Sequence, residues 1–298
     1  MKNILLYKIN DGTTSNFSVQ HIDNSGIKPI AENIQCIESF MLNNITYIIA
    51  FDKNNSYYIY QALSSGLFMV QLSTGIISST ANLISILDIS GTFFCLVYDS
   101  IQNMLIFFKI TSDLKLEQVY QLNAPGTFTT LKTFSYREKT FFIMYDIITG
   151  SVYKYQVAIN TSPETFSVEN VWSDTWAKGW TRFSFFQLGT ENFFIKTNIS
   201  YKKVNIDHFM DDPNEGSHPV LNIDAPEQMI DANNVVVFLN TKGFPFFATY
   251  NSTNGMLTFN SIYANCQGWD SECELTTDSE QELMLTFCIN SENYILLY

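Results

Sequence analysis

Leu283-Met-Leu-Thr-Phe-Cys-Ile-Asn-Ser-Glu-Asn-Tyr-Ile-Leu-Leu-Tyr298 reads as two short apolar strands, Leu283–Asn290 and Asn293–Tyr298, around a polar turn. The same form recurs in mid-chain as Thr130–Tyr136 and Thr140–Asp146, where two more strands follow, Ser151–Val157 and Thr165–Val171. Such segments, rich in Phe, Tyr, Ile and Val and bounded by Gly, Asn, Asp or Ser, are strand–turn–strand signals. The C-terminal pair has no such followers. Asn3–Asn10 and Asn16–His21, at the opposite end, supply them. Joined, the two ends make one four-stranded unit, and a ring closed this way leaves no open array of strand edges.

Working outward, the unit repeats six times at roughly 48 residues, a period that marks solenoids, propellers or arrays. An aromatic anchor sets the register at Tyr47, Phe93, Phe141, Phe193, Phe246 and Tyr294. Upstream sits an apolar pair three residues apart: Ile37/Phe40, Leu83/Ile86, Leu131/Phe134, Phe183/Phe186, Val236/Leu239 and Met284/Phe287. Downstream comes an Asp or Asn at Asp52, Asp99, Asp146, Asn198 and Asn251, read as a turn residue tolerant of left-handed backbone angles. A last apolar position recurs at Ala62, Ile110, Val157, Phe209 and Ile262, with its sixth copy at Ile9. The expected fold is all-β: a six-bladed β-propeller of four-stranded antiparallel blades. It fills residues 1–298 as a single domain, the N-terminal strands C and D pairing with the C-terminal strands A and B. Only Asp224–Asn233 reads as a short helical turn.

Composition agrees and excludes several classes. At 46% hydrophobic and 15% aromatic the chain can bury a large core, which disordered sequences cannot. Net charge is −13, so no nucleic-acid partner is expected, because that binding needs a basic footprint. Met1-Lys-Asn-Ile-Leu-Leu-Tyr-Lys8 lacks a secretory apolar run, and the uncharged stretch Gln61–Leu87 is studded with Ser, Thr, Gly and Gln. No membrane insertion is expected, and the protein is placed in the cytoplasm or is released without a signal peptide. A monomer is expected. Of the five cysteines, Cys95 and Cys288 fall in strands and Cys36 opens one, whereas Cys266 and Cys273 flank a loop that an oxidising compartment could close.

Catalytic signals are thin. Asp207-His208-Phe-Met-Asp-Asp-Pro-Asn-Glu-Gly-Ser-His218 gathers metal-ligand types without the spacing of a calcium loop and reads as a solvated connection. Arg137 and Arg182 are the only arginines, too few for an arginine cluster that grips a substrate carboxylate. No phosphate loop or nucleophile elbow appears. No catalytic residue, cofactor or metal is therefore expected, and the chain is read as a non-enzyme.

Val171-Trp172-Ser-Asp174-Thr-Trp176-Ala-Lys-Gly179-Trp180-Thr-Arg182-Phe183-Ser-Phe-Phe186-Gln-Leu-Gly189 holds three of the four tryptophans. Trp-x-x-x-Trp-x-x-Gly-Trp-Thr-x-Phe followed by Phe-x-Leu-Gly resembles the repeat of bacterial β-propeller lectins of the Photorhabdus type. More loosely it is similar to tachylectin-like and fucose-binding propellers. The resemblance implies sugar pockets between adjacent blades. On its own chemistry, the cluster offers Trp172, Trp176 and Trp180 as an aromatic platform for the C–H face of a pyranose, with Asp174 and Arg182 at its hydroxyl rim. Trp269 with Asp270 forms a second candidate. The alternative for the same rings is a core plug between blades. The repeats of the binding residues are incomplete: positions equivalent to Trp180 are Ile34, Thr80, Phe128, Asn233 and Gln281. The expectation is thus a carbohydrate-binding propeller with one or two sites for a glycan or glycoprotein. Its alternative is a protein–protein interaction propeller, a scaffold for a toxin or host partner. A third reading, a hydrolase, would require an acidic residue near the central channel.

Overall fold

The computed structural model describes residues 5–11, 17–22, 31–63, 69–161, 164–188, 191–198, 200–209, 217–224, 229, 234–239, 245–262, 269–277, 283–289 and 292–298. Their strands, numbered β1 to β24 in chain order, form six four-stranded antiparallel sheets. The chain is an all-β, six-bladed β-propeller. Its innermost strands are β3 (Ile34–Leu42), β7 (Leu83–Ile89), β11 (Thr130–Tyr136), β15 (Trp180–Leu188), β19 (Asn234–Leu239) and β23 (Met284–Ile289). They touch one another in a closed circle around the axis.

The closing blade is built as the two ends of the sequence imply. β1 (Leu5–Asp11) lies between β2 (Phe17–Ile22) and β24 (Glu292–Leu297), and β23 completes the order β2-β1-β24-β23. Lys8 reaches Glu292 at 2.5 Å across that junction. Tyrosine hydroxyls at one repeat position tie blades to the loop entering the next. Tyr145 donates to the Ala177 carbonyl at 2.8 Å, and Tyr298 donates to that of Ala31 at 2.7 Å, closing the ring. Each such ring is buried with its hydroxyl satisfied, which avoids the cost of a stranded polar atom.

Aromatic stacking across the first hairpin of a blade explains the anchors. Phe40 stacks on Tyr47 at 5.3 Å, Phe134 on Phe141 at 5.3 Å, Phe186 on Phe193 at 5.7 Å and Phe287 on Tyr294 at 5.7 Å. These are directly opposed cross-strand pairs, the unit of sheet stabilisation. Residues three apart on a strand face opposite sides. Ile37 therefore packs toward the sixth blade while Phe40 packs toward the second. In blade two the sequence register is one residue off. Phe94 opposes Leu87 in the wedge facing blade three, whereas Phe93 faces back toward blade one, so Ile84/Leu87 is the true pair. In blade five Phe246 opposes Phe238, not Leu239, which shifts that pair to Val235/Phe238.

The turns after each blade's second strand also differ from expectation. The repeated Asp or Asn does not itself take a left-handed angle. Its side chain accepts backbone N–H bonds instead: Asp52 from Asn54 and Ser56 at 2.8 Å, and Asp99 from Ile101 and Gln102 at 2.9 Å. Asp146 does the same for Ile148. The left-handed residue comes slightly later, at Asn55, Asn103, Gly150, Lys202 and Gly255. Gly150 has φ +83°, and a Cβ there would stand 2.3 Å from the Trp176 carbonyl oxygen, so only glycine fits. The helical turn expected over Asp224–Asn233 lies outside the described residues, apart from Asp224 at the end of a strand and Met229, buried beside Val235 and Phe247.

Candidate active site

The circle of inner strands encloses an axial channel with two adjoining cavities of about 450 and 330 Å³. Strand register assigns the lining to layers. Cys36, Leu83, Thr130, Thr181 and Asn234 oppose Phe51, Tyr98, Tyr145, Thr197 and Tyr250, and all five line the larger cavity with Leu283. Two residues further along, or three in β15 across its bulge, Glu38, Ser85, Lys132, Ser184, Val236 and Leu285 form the next layer, opposite Ile49, Leu96, Ile143, Ile195, Ala248 and Leu296. All six line the smaller cavity. One position in six blades thus holds a carboxylate, an ammonium and two hydroxyls at a single height.

Lys132 Nζ donates to Glu38 Oε1 at 3.0 Å, reaching from blade three past Ser85 of blade two to blade one. Both residues border both cavities. Among the described residues lining them, Glu38 is the only carboxylate and Lys132 the only cation. Their side chains are 21% and 37% exposed, open enough for water to reach. Ser85 and Thr133 share a hydroxyl contact of 2.9 Å in the smaller cavity, and Ser39 donates to the Thr286 carbonyl. Gln35, Asn82 and Thr129 add amide and hydroxyl groups to the larger one. Cys36 also faces it, but its thiol donates to the Ala81 carbonyl at 3.1 Å. Burial, and secondarily Glu38, push its pKa to about 12, so it is a protonated thiol and not a nucleophile at neutral pH.

The tryptophans lie elsewhere. Trp180 is buried at the start of β15, and Trp172 and Trp176 are half-buried, all in the wedge between blades three and four with Tyr145, Phe183 and Phe194. Trp176 lies parallel to Phe183 and Phe194, at 6.3 and 5.8 Å. The rings surround the ammonium of Lys196, which sits 4.0 Å from the centre of Trp176, 4.9 Å from Phe194 and 5.0 Å from Trp180. Lys196 is ion-paired with Asp207, and both are buried. Burial pulls the lysine pKa down, an effect partly opposed by Asp207. Asp174 is exposed and its carboxylate accepts from the N–H of Thr175. Arg182 falls in a β-bulge of β15 between Thr181 and Ser184. Trp269 and Asp270 open strand β22 (Trp269–Thr276), opposite Ile262 and Ser261. The side chains of Arg182, Trp269 and Asp270, and any pairing of Cys266 with Cys273, lie outside the described residues.

His208 accompanies Glu191 at 2.6 Å, and no group of three or more potential metal ligands occurs among the described residues. No described helix is long and apolar enough to cross a membrane.

No family model matches the chain, and no curated protein matches its sequence. Solved structures do resemble it. One is a Pseudomonas aeruginosa periplasmic gluconolactonase, with a TM-score of 0.59 and 11% identity, covering 95% of this chain and 86% of that one. Another is a Bacteroides fragilis protein provisionally assigned as a 6-phosphogluconolactonase, with a TM-score of 0.58 and 10% identity, covering 94% and 84%. A Lactobacillus plantarum protein matches with a TM-score of 0.52 and 8% identity, covering 93% and 97%. At these identities the likeness establishes the fold alone. The two of these named for an activity are named as lactonases, and on that finding the lectin reading, its interaction-scaffold alternative and the non-enzyme reading are withdrawn. The lectin-like segment matches no family model, and its tryptophans sit in the inter-blade wedge, Trp180 buried and Trp172 and Trp176 half-buried.

Glu38 and Lys132 were missed because no motif joins residues on two strands so far apart in sequence. A usable signal existed. Glu38 and Lys132 hold the same repeat position, on inner strands where the neighbouring blades carry Ser85, Ser184, Val236 and Leu285.

Proposed function

We propose that the chain is a hydrolase whose reaction centre is the Glu38–Lys132 pair, and that its substrates are cyclic sugar esters of the lactone class. The observation that carries this reading is the carboxylate–ammonium contact of 3.0 Å in a channel otherwise lined by hydroxyl, amide and apolar groups. The lactonase names of structural neighbours favour the ester class over other hydrolysable bonds. Glu38 acts as general base, taking a proton from a water that attacks the lactone carbonyl carbon. The carbonyl oxygen becomes an oxyanion beside the Lys132 ammonium, which stabilises that charge in a partly desolvated site. The ring C–O bond then breaks, and the departing alkoxide takes the proton back from Glu38. The product is the open hydroxy acid, with no net change at the enzyme. The Asn82 amide nitrogen and the Thr130 hydroxyl suit the hydroxyl groups of a polyol, whereas the Thr129 hydroxyl is taken by the Tyr145 carbonyl and the Ile147 N–H.

The test follows acid release from glucono-δ-lactone and its 6-phosphate in a pH-stat, above the spontaneous rate. Glu38→Gln lowers kcat/KM by about 100-fold or more. Lys132→Gln lowers it by on the order of 100-fold. No hydrolysis above background with either lactone, or full activity in Glu38→Gln, would sink the reading.

A further inference from the structure

At the height of the ion pair each inner strand supplies one residue to the channel, so the chemistry of the wall can be followed around the ring. Blades one to four contribute Glu38, Ser85, Lys132 and Ser184. Blades five and six contribute Val236 and Leu285. The wall is thus divided into an arc of charge and hydroxyl and an arc of hydrocarbon. In a closed circle of six blades the third stands across from the sixth and the second from the fifth. Leu285 therefore lies across the axis from Lys132, and Val236 across from Ser85. Val236 and Met284 border both cavities, as Glu38 and Lys132 do, and Leu285 borders the smaller one. A ligand held by the ion pair in either cavity meets the apolar arc on its far side. Ile37, Ile86 and Phe185 also border the smaller cavity, but each packs into a wedge between blades. Among the described residues of blades five and six, the polar ones at the cavities are Thr286 and, one layer away, Asn234.

We propose that Val236 and Leu285 form a specificity wall, and that the preferred substrate is a lactone whose ring edge remote from the carbonyl is hydrocarbon, as in deoxy or alkyl-substituted lactones. This rests on the reading of Glu38 and Lys132 as the ring-opening pair and narrows its substrate class. The pair fixes the ester. Its carbonyl oxygen lies by Lys132, and its carbonyl carbon lies within reach of a water activated by Glu38. The ring carbon across from the carbonyl is then directed away from blades one and three, toward blades five and six. A hydroxyl on that carbon gives up its water and meets Val236 and Leu285, whose side chains have no polar atom to replace it. An alkyl group on the same carbon removes its own apolar surface and that of the wall from water. Hydroxyls nearer the ester keep partners on the polar arc, at the Asn82 amide nitrogen and the Thr130 hydroxyl.

A matched substrate series tests the wall. δ-Valerolactone and its derivatives with an ethyl or a methoxy group on the carbon across the ring from the carbonyl are followed by acid release, beside glucono-δ-lactone. Ethyl and methoxy have nearly the same shape, and methoxy stands in for a hydroxyl without permitting the ring to re-close on it. The ethyl derivative is expected to exceed the methoxy derivative in kcat/KM by about tenfold or more. Val236→Thr keeps the shape of the side chain and gives the wall a hydroxyl, so it lowers that ratio by at least about threefold. The comparison in the parent chain stands without the variant, should Val236→Thr fold poorly. A ratio near one, or one in favour of methoxy, while glucono-δ-lactone is still opened in a Glu38-dependent way, overturns the specificity wall and leaves the hydrolase reading intact. A ratio unchanged in folded Val236→Thr overturns the wall as well. Opening of none of the four lactones sinks the hydrolase reading and the wall with it.

Discussion

Two lysines of this protein each face one carboxylate, in opposite surroundings. Lys132 meets Glu38 across a channel that water can enter, with 37% and 21% of the two side chains exposed. Lys196 meets Asp207 inside the blade wall, with 5% and 3% exposed, under the faces of Trp176, Trp180 and Phe194. The difference teaches where chemistry can be hosted. A buried pair is held by aromatic rings and by its own partner, so it has no room for a reactant and serves the wedge between blades. A half-open pair contributes little to stability, yet it keeps a base and a cation available to a ligand.

The comparison breaks most readily at Lys196. Lys196→Ala leaves the Asp207 carboxylate buried without its cation, and denaturant unfolding is expected to report a loss of about 3–5 kcal/mol. The double variant Lys196→Met, Asp207→Leu should recover most of it, since an apolar pair of similar volume needs no ionic compensation. Trp180→Ala comes next, with about 3 kcal/mol lost, because it empties the buried wedge beside Tyr145 and Phe183. If Lys196→Ala unfolds at the parental denaturant midpoint, the structural role given to that pair is wrong.

Lys132 supplies the contrasting case. Lys132→Ala is expected to change unfolding free energy by less than about 1 kcal/mol, while the lactone assay registers the large effect described above. Equal damage to stability and turnover would erase the distinction between the two lysines. The smallest effect concerns Cys36, which borders the channel beside Glu38. Its folded pKa of about 12 exceeds its ordinary value of 9.0, so the folded chain holds this proton more tightly than the unfolded one. The resulting stabilisation is complete below pH 9.0 and is lost as pH rises through about 12. The slope of stability against pH in that window should be shallower in Cys36→Ala. In the native chain at neutral pH, a thiol reagent should leave Cys36 unmodified.

Much of the architecture was legible because a propeller writes its constraints at regular intervals. Tyr47, Phe141, Phe193 and Tyr294 mark the first hairpin of four blades, and Asp52, Asp99 and Asp146 mark the turns that follow. The register errors in blades two and five have a physical cause. Both faces of these hairpins carry apolar residues, so the apolar pattern by itself does not set their phase. Phe93-Phe94 and Val235-Val236-Val237 place an apolar side chain on either face whichever register is chosen. The tryptophan segment misled for a related reason. Spacing shows that rings are close together but not whether they face water, and here they close over a lysine that lies on another strand.

The sequence by itself determined the six-fold repeat, the strand order within a blade and the pairing of the two chain ends. Those depend on local hydrophobic pattern and turn chemistry, which neighbouring residues carry. Only the tertiary structure decided which charges meet. Glu38 with Lys132 and Lys196 with Asp207 are separated by 94 and 11 positions, and ring closure with strand pairing sets their distance and their access to water. Access to water separates the two pairs, and access is a property of the packed ring.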